Sequence, residues 1–271
     1  MSNFFSSGDK GNNLFSGIGK GADLLNEALD AEKNEEQQIS LKKQYNDIKN
    51  NYEEIFIEAA ESIRKELDTL KPENPCANCQ VKDCKIEKKD IFAPYPQGCE
   101  YRDWQLQTLA YLAGDYRQKL KAAYKSIMER KNDYACNCCG VCCKLAVSEY
   151  SYEQLKQRAL KGDKYSEDFV SVFVPFENEE DAKKINPEYF EMLNLLVEDE
   201  RVYYYYCPKV KDNLCSIYEN RPNICKDFPH NPLKLLPSEC SFNAWKNAVV
   251  HDAMLLKAKT DIINFYKEKL S

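Results

Sequence analysis

Histidine is scarce in this chain: 271 residues hold only His230 and His251. Neither stands in a metal-ligand spacing or a triad pattern, which excludes a histidine-built metal site and a Ser-His-Asp hydrolase. No Gly-x-Ser-x-Gly elbow occurs. Gly17-x-Gly19-x-Gly21 follows no strand and is not closed by a Lys-Ser/Thr pair, so it is not a phosphate-cradling loop. A basic excess is also missing. With 38 basic and 44 acidic residues the formal charge is −6, which excludes a general nucleic-acid binder. No apolar run approaches the length of a membrane span. The first residues lack a basic leader and a continuous apolar core, so no secretory signal is expected and the location expected is cytoplasmic. No internal repeat stands out.

Cysteine, by contrast, is abundant, with 13 residues. In a reducing compartment these are not expected to be disulfides, and their grouping argues against plain buried thiols. Five fall within CNCCGVCC, at Cys136, Cys138, Cys139, Cys142 and Cys143. Cys136-x-x-Cys139-x-x-Cys142 has the two-residue gaps of zinc sites and of ferredoxin-type runs. Cys143 follows directly. Neighbouring side chains diverge, so two adjacent thiolates rarely serve one tetrahedral ion. Downstream lie Cys207-Pro208, Cys215, Cys225 and Cys240. With Cys136, Cys139, Cys142 and Cys143 they make eight, enough for two four-thiolate centres, with Cys138 left over as an alternative ligand. The dispersed downstream cysteines are not knuckle pairs, which favours iron–sulfur slightly over zinc. Arg221, Lys144, Lys209 and Lys226 are candidates to offset thiolate charge, and Arg221 is the strongest because Pro222 restrains its backbone. Tyr218, Phe228 and the Tyr203–Tyr206 run are candidates to exclude water. His230 is a further candidate ligand. A separate group, Cys76-x2-Cys79-x4-Cys84 with Cys99, could close a zinc site.

The sequence around these cysteines predicts a mainly α protein with a small cysteine-rich α+β metal-binding core and long amphipathic helices at both ends. Residues 1–21 are rich in Gly, Ser and Asn and read as a flexible tail. A helical region, 22–135, opens with a helix from about Ala22 to Leu70, whose stripe of Leu41, Tyr45, Ile48, Tyr52, Ile55, Ala59, Ile63, Leu67 and Leu70 is expected to pack within the chain. The tail or this helix could also meet a protein partner. A second helix is expected from Asp103 to about Lys131, with a stripe of Leu106, Leu109, Ala110, Ala113, Leu120, Ala123 and Ile127 and a close contact at Gly114. The metal-binding core is placed at 136–240. It should contain a capping-box helix from Ser151, a strand over Val170–Phe176, a helix led by Pro187 and a strand over Val202–Cys207. Glu179-Glu180-Asp181 reads as a solvated loop. Residues 241–271 form a last helix capped by Ser241, packing on the helical region.

Cys136-x-x-Cys139-Gly140-x-Cys142-Cys143, Cys207, the stretch CSIYENRPNIC from Cys215 to Cys225, and Phe228-Pro229 together resemble the CxxCxxCC zinc- or iron-chelating family, the YkgJ-like cysteine-cluster proteins. The resemblance covers roughly 136–240. It implies a bacterial cytosolic domain binding zinc or an iron–sulfur centre, and carries metal-ligand roles to Cys136, Cys139, Cys142, Cys143, Cys207, Cys215 and Cys225, with Cys240 at a variable end of the motif. The family often places Arg where this chain has Lys226. A related branch, the flagellin lysine N-methylase type, implies methyl transfer from S-adenosylmethionine, but its Tyr-Pro-Arg stretch is replaced here by Phe228-Pro229-His230. A zinc-stapled interaction protein is the third alternative.

Overall fold

The computed structural model describes residues 35–73, 76, 91–195 and 202–270, leaving aside the side chains of 35–42 and 192–195. The tail, the first part of the long helix, Cys79, Cys84 and the helix end near Val197 lie outside the described residues. The chain is mostly helical. In order it forms α1 (Glu35–Asp68), α2 (Glu100–Tyr111), a π-turn over Leu112–Tyr116, α3 (Arg117–Glu129), the short α4 (Val141–Lys144), β1 (Ala146–Ser148), α5 (Tyr152–Leu160), α6 (Lys164–Val172) and β2 (Val174–Pro175). Then come α7 (Glu179–Ile185), α8 (Pro187–Leu195), β3 (Tyr203–Tyr206), β4 (Val210–Lys211), β5 (Leu214–Cys215), α9 (Asn223–Lys226) and α10 (Phe242–Leu270). No described helix is long and apolar enough to cross a membrane.

The described residues gather into two compact units. One is built from Asn51–Arg130 with the chain from Ala248 onward. In α1 it buries Ile55, Ala59, Ile63 and Leu67, four of the stripe positions expected from sequence. In α10 it buries Val249, Ala253, Met254, Leu256, Ile262 and Ile263. Tyr52 donates to Asp261 Oδ2 at 3.0 Å. The helix expected from Asp103 to Lys131 is interrupted. Its buried row is Trp104, Thr108, Leu112, Tyr116, Leu120 and Tyr124, while Leu106, Ala110, Ala113 and Ala123 are exposed. Gaps of four drift around a 3.6-residue helix, and the wider π-turn brings the row back into line. Gly114 sits in that turn, where an added Cβ would meet nothing within 4 Å. Among the described residues, nothing makes the close contact expected there. Cys99 is buried with Ile91, Tyr95, Tyr101 and Trp104.

The second unit holds the described residues from Glu35 to Asn50 and those of Lys131–Asn247. Its sheet has the order β1-β3-β2, all antiparallel, with Val147 opposite Tyr204 and Val174 opposite Tyr206. Both faces of β3 are covered. Tyr204 stacks on Phe190, and Tyr205 packs on Phe169 and Leu155. The capping box at α5 forms as expected, Gln154 N donating to Ser151 Oγ at 3.3 Å and Ser151 N donating to Gln154 Oε1 at 2.8 Å. Pro187 is the first residue of α8.

Two expectations fail here. Val170–Phe176 is not one strand: α6 runs through Val172 and only Val174–Pro175 pair with β3. Asp163 caps that helix by accepting from Tyr165 N, and Phe169, Val172 and Phe173 share its buried face, so packing at helical spacing overrides β-branched composition. Glu179-Glu180-Asp181 is not a loop but the first turn of α7. Asn178 caps it, and acidic residues there complement the helix dipole.

Lys246 in α10 is buried, at 3 % exposure, and donates to Gln44 Oε1 at 2.5 Å. Gln44 also donates to Leu236 O and accepts from Leu236 N, so the amide stays partnered without the lysine. Burial pushes the Lys246 ammonium down to about 8. Its charge therefore opposes folding below that value, and the cost fades as pH rises toward the ordinary lysine pKa. Lys246→Met should raise stability by about 3 kcal/mol at neutral pH. The gain, measured as the difference from the parent in urea unfolding, should shrink between pH 8 and 10.5. A variant less stable than the parent at pH 7 would refute it.

Candidate metal centre

The cysteine run begins just after the 3₁₀ turn Arg130–Asp133. Gly140 adopts φ +81°, the left-handed region, and starts α4, which carries Cys142 and Cys143. A Cβ at Gly140 would come within 2.9 Å of Asn213 Oδ1. Asp212 and Asn213, both at positive φ, form the tight turn between β4 and β5, and Lys144 Nζ donates to Asn213 Oδ1. The glycine thus lets the run press against the hairpin that carries Cys215. Gly140→Ala should cost about 1–3 kcal/mol, read by denaturant unfolding, from the left-handed backbone together with the crowding. An unchanged midpoint would refute this.

Two sets of bonds bring the distant cysteines to the run. At one end, Asn137 and Ser241 form a clamp. Asn137 N donates to Ser241 Oγ at 3.2 Å, Ser241 Oγ to Ala135 O at 2.6 Å, and Asn137 Nδ2 to Glu239 O at 2.6 Å. Ser241, expected only as a helix cap, thereby sets Cys240 beside Cys136 and Cys139. All three pack with Leu236, Phe242, Tyr134 and Phe228. At the other end, Cys207 N donates to Cys143 O at 2.7 Å, extending the β1–β3 pairing. The β4–β5 hairpin places Val210 opposite Cys215. Cys225 is held on α9, whose Ile224 N donates to Asp168 Oδ2 at 3.4 Å. Cys143, Cys207 and Cys225 pack in the cluster around Leu155, Phe169 and Tyr205.

The result is one cavity of about 320 Å³ lined by nine cysteines: Cys136, Cys138, Cys139, Cys142, Cys143, Cys207, Cys215, Cys225 and Cys240. Each of the eight candidate ligands of the core is among them. Cys142 and Cys143 have their sulfurs 4.0 Å apart. Among the described residues, no three His, Cys, Asp or Glu side chains are drawn together tightly enough to clasp an ion. Cys138, at φ +57°, joins the wall while its N–H donates to Cys136 Sγ at 3.4 Å. Of the separate N-terminal group, Cys76 is exposed and Cys99 buried, with Cys79 and Cys84 outside the described residues.

The electrostatics split the thiols into proton holders and proton losers. Within hydrogen-bonded pairs, Cys139 is lowered to about 6 by its bond with Cys240, whose own thiol is raised, and Cys143 is lowered while Cys142 is raised. Burial raises Cys136 and Cys207, and it pushes Cys225 up to about 12 with help from the charges of Cys143, Cys207 and Cys215. Nearby thiolates repel one another and are starved of water, so a cation entering the cavity would be strongly favoured.

Arg221 lines the cavity, and its charge favours the thiolates of Cys143 and Cys225. Its guanidinium sits 3.7 Å from the Tyr218 ring centre, and Nε donates to Tyr218 O at 2.9 Å. Phe228, Lys226 and His230 line the cavity too, His230 remaining exposed. Lys144 is instead engaged with Asn213, while Lys209 lowers Cys207. The Tyr203–Tyr206 run does not line the cavity. Its rings are taken by Phe190, Phe169 and Phe176, and the aromatic wall comes from Tyr218 and Phe228 with Tyr134, Tyr165, Phe169, Phe173, Tyr189 and Phe242. Sequence reasoning missed Tyr189 and Lys234. Tyr189, 4 % exposed, has its phenol raised by burial and by the charges of Cys142 and Cys240. Lys234 lines the cavity, feels the charge of Cys142 and lies 5.2 Å from the Phe228 ring centre. No motif marked either one.

The donor set fits zinc or iron. Sulfur ligands suit these metals and discriminate against magnesium and calcium, which take oxygen. Comparison with known proteins agrees in kind. Residues 135–248 match the family described as "CxxCxxCC: Putative zinc- or iron-chelating domain". No curated protein and no solved structure matches the chain.

Proposed function

We propose that this chain, which carries a CxxCxxCC domain over residues 135–248, is a metal-binding protein whose cysteine core holds one or two thiolate centres. The observation that carries the reading is the single cavity walled by nine cysteines with Arg221 and Lys234 beside them. Cys136, Cys139, Cys142, Cys143, Cys207, Cys215, Cys225 and Cys240 would be the ligands. An iron–sulfur centre is favoured over zinc because the downstream cysteines are not paired as knuckles. When bound, such a centre supplies electron transfer, whereas zinc supplies a structural staple. The protein's own residues bury the sulfurs, offset their charge through Arg221 and limit water through Tyr189, Phe169 and Phe228. The role proposed is redox, metal handling or binding, in the cytoplasm. The same reading extends to zinc at Cys76, Cys79, Cys84 and Cys99.

The test is anaerobic purification followed by iron, zinc and acid-labile sulfide analysis with a visible spectrum. Brown protein with iron and sulfide in equal amounts supports the cluster. Colourless protein holding zinc alone retires the iron–sulfur reading but keeps the metal core. Protein holding neither overturns the proposal.

A further inference from the structure

The cavity wall is not a uniform ring of sulfur. The Asn137–Ser241 clamp ties Cys136 and Cys139 to Cys240, and these three pack in one apolar cluster with Leu236 and Phe242. The Cys207 N–Cys143 O bond and the β4–β5 hairpin tie Cys143, Cys207 and Cys215 together. Cys143, Cys207 and Cys225 pack in a different cluster, around Phe169 and Tyr205. Cys225 lies within electrostatic reach of Cys143, Cys207 and Cys215, and Cys240 within reach of Cys139 and Cys136.

Cys142 and Cys143 stand where the sets meet. Both belong to α4, and consecutive side chains on a helix point about 100° apart. Besides its bond with Cys143, Cys142 lies within reach of Cys139 and Cys136, and its charge is felt by Lys234 and by Tyr189, which also feels Cys240. Cys143 also feels Cys139 and Cys136, but it packs with Cys207 and Cys225 and meets the charge of Arg221, which reaches Cys225 as well.

Resting on the proposed metal-binding function, we infer that the eight thiols form two separate four-cysteine centres. Cys136, Cys139, Cys142 and Cys240 make one, with Lys234 as its cation; Cys143, Cys207, Cys215 and Cys225 make the other, with Arg221 as its cation. The adjacent pair is the divide. One divalent ion on four thiolates leaves a net charge of −2, which is why each set needs a cation of its own. Cys138 belongs to neither.

The test uses the full purified chain. Metal is withdrawn stepwise with a chelator, free thiols are trapped with N-ethylmaleimide, and the labelled cysteines are mapped by mass spectrometry. Loss of protection should occur in the two stated sets, each moving together. Mixed sets, such as Cys142 moving with Cys207, overturn the division. Cobalt(II) reconstitution provides a second reading through the sulfur-to-cobalt absorption. The parent should take two equivalents in these centres, Cys240→Ser one, Cys225→Ser one, the double variant none and Cys138→Ser two. If the double variant retains as much cobalt as either single variant, there is one centre and the inference falls while the metal-binding function stands. If the parent takes up no cobalt and carries no metal as purified, that function itself has failed.

Discussion

Removing metal from the purified chain with a chelator should strip the cysteine-lined unit of most of its stability. A structural thiolate site contributes about 10 kcal/mol or more to folding, comparable with the whole stability of an ordinary domain. Without metal, the cavity presents nine thiols to one another with no ion between them. The expected result is loss of near-ultraviolet circular dichroism and a collapsed denaturation midpoint, both restored by adding the metal back. A chain that keeps the same midpoint after verified removal would show that the cluster contributes nothing to the fold.

The pH dependence should also change sign with the metal. In the metal-free chain, burial raises the thiols of Cys136, Cys207 and Cys225, the last to about 12. The folded form then holds these protons more tightly than the unfolded form. Its stability is present below the ordinary thiol pKa and lost as pH rises through the raised values. In the loaded chain the ligands are thiolates, so protons compete with the ion and stability is lost as pH falls. Cys139 and Cys143, held low, work the other way below the ordinary thiol pKa, so denaturation midpoints with and without metal are compared above it, where parallel slopes would exclude thiolate ligation.

The fold was legible in sequence where local chemistry and burial agree. Ser151 and Gln154 make the box that their spacing implies, Pro187 opens its helix, and Tyr45, Ile48, Ile55, Ala59, Ile63 and Leu67 of α1 bury in register. It was misread where tertiary packing decides. Val170, Val172 and Val174 suggest a strand by type, yet Phe169, Val172 and Phe173 bury at helical spacing. On α2 the expected stripe was misphased at Leu106 and Ala110, before the π-turn, while Leu120 and Ile127 beyond it are buried as expected. At the site, the short-range part of the pattern was readable, since Cys136 to Cys143 share one local turn. What sequence spacing could not reveal was how Cys240 is brought to that turn. This depends on Asn137 and Ser241, 104 residues apart, whose polar side chains carry no metal signature. Lys234 and Tyr189 were hidden for the same reason: their relevance comes only from the folded chain that sets them against Cys142.

Tyr205 is where the core and the candidate centre depend on each other most closely. Its side chain is fully buried, meets Phe169 edge-on at 4.9 Å, and donates its hydroxyl to Tyr150 O at 2.7 Å. It also lies two residues before Cys207, on the strand whose end bonds to Cys143. Tyr205→Ala removes a whole ring from a cluster that holds Cys143, Cys207 and Cys225 in place, and should cost about 3–5 kcal/mol. Tyr205→Phe keeps the ring and leaves only the Tyr150 carbonyl without its donor, a loss of about 1 kcal/mol. Denaturant unfolding of the metal-loaded protein measures both. The alanine variant should also release metal from Cys143, Cys207, Cys215 and Cys225 at lower chelator concentration, while Cys136, Cys139, Cys142 and Cys240 keep theirs, because Cys136, Cys139 and Cys240 pack on Leu236 and Phe242 instead. If both sets lose metal together, the two clusters share one scaffold. If Tyr205→Ala costs less than the phenylalanine change, Tyr205 is not the support that its burial implies.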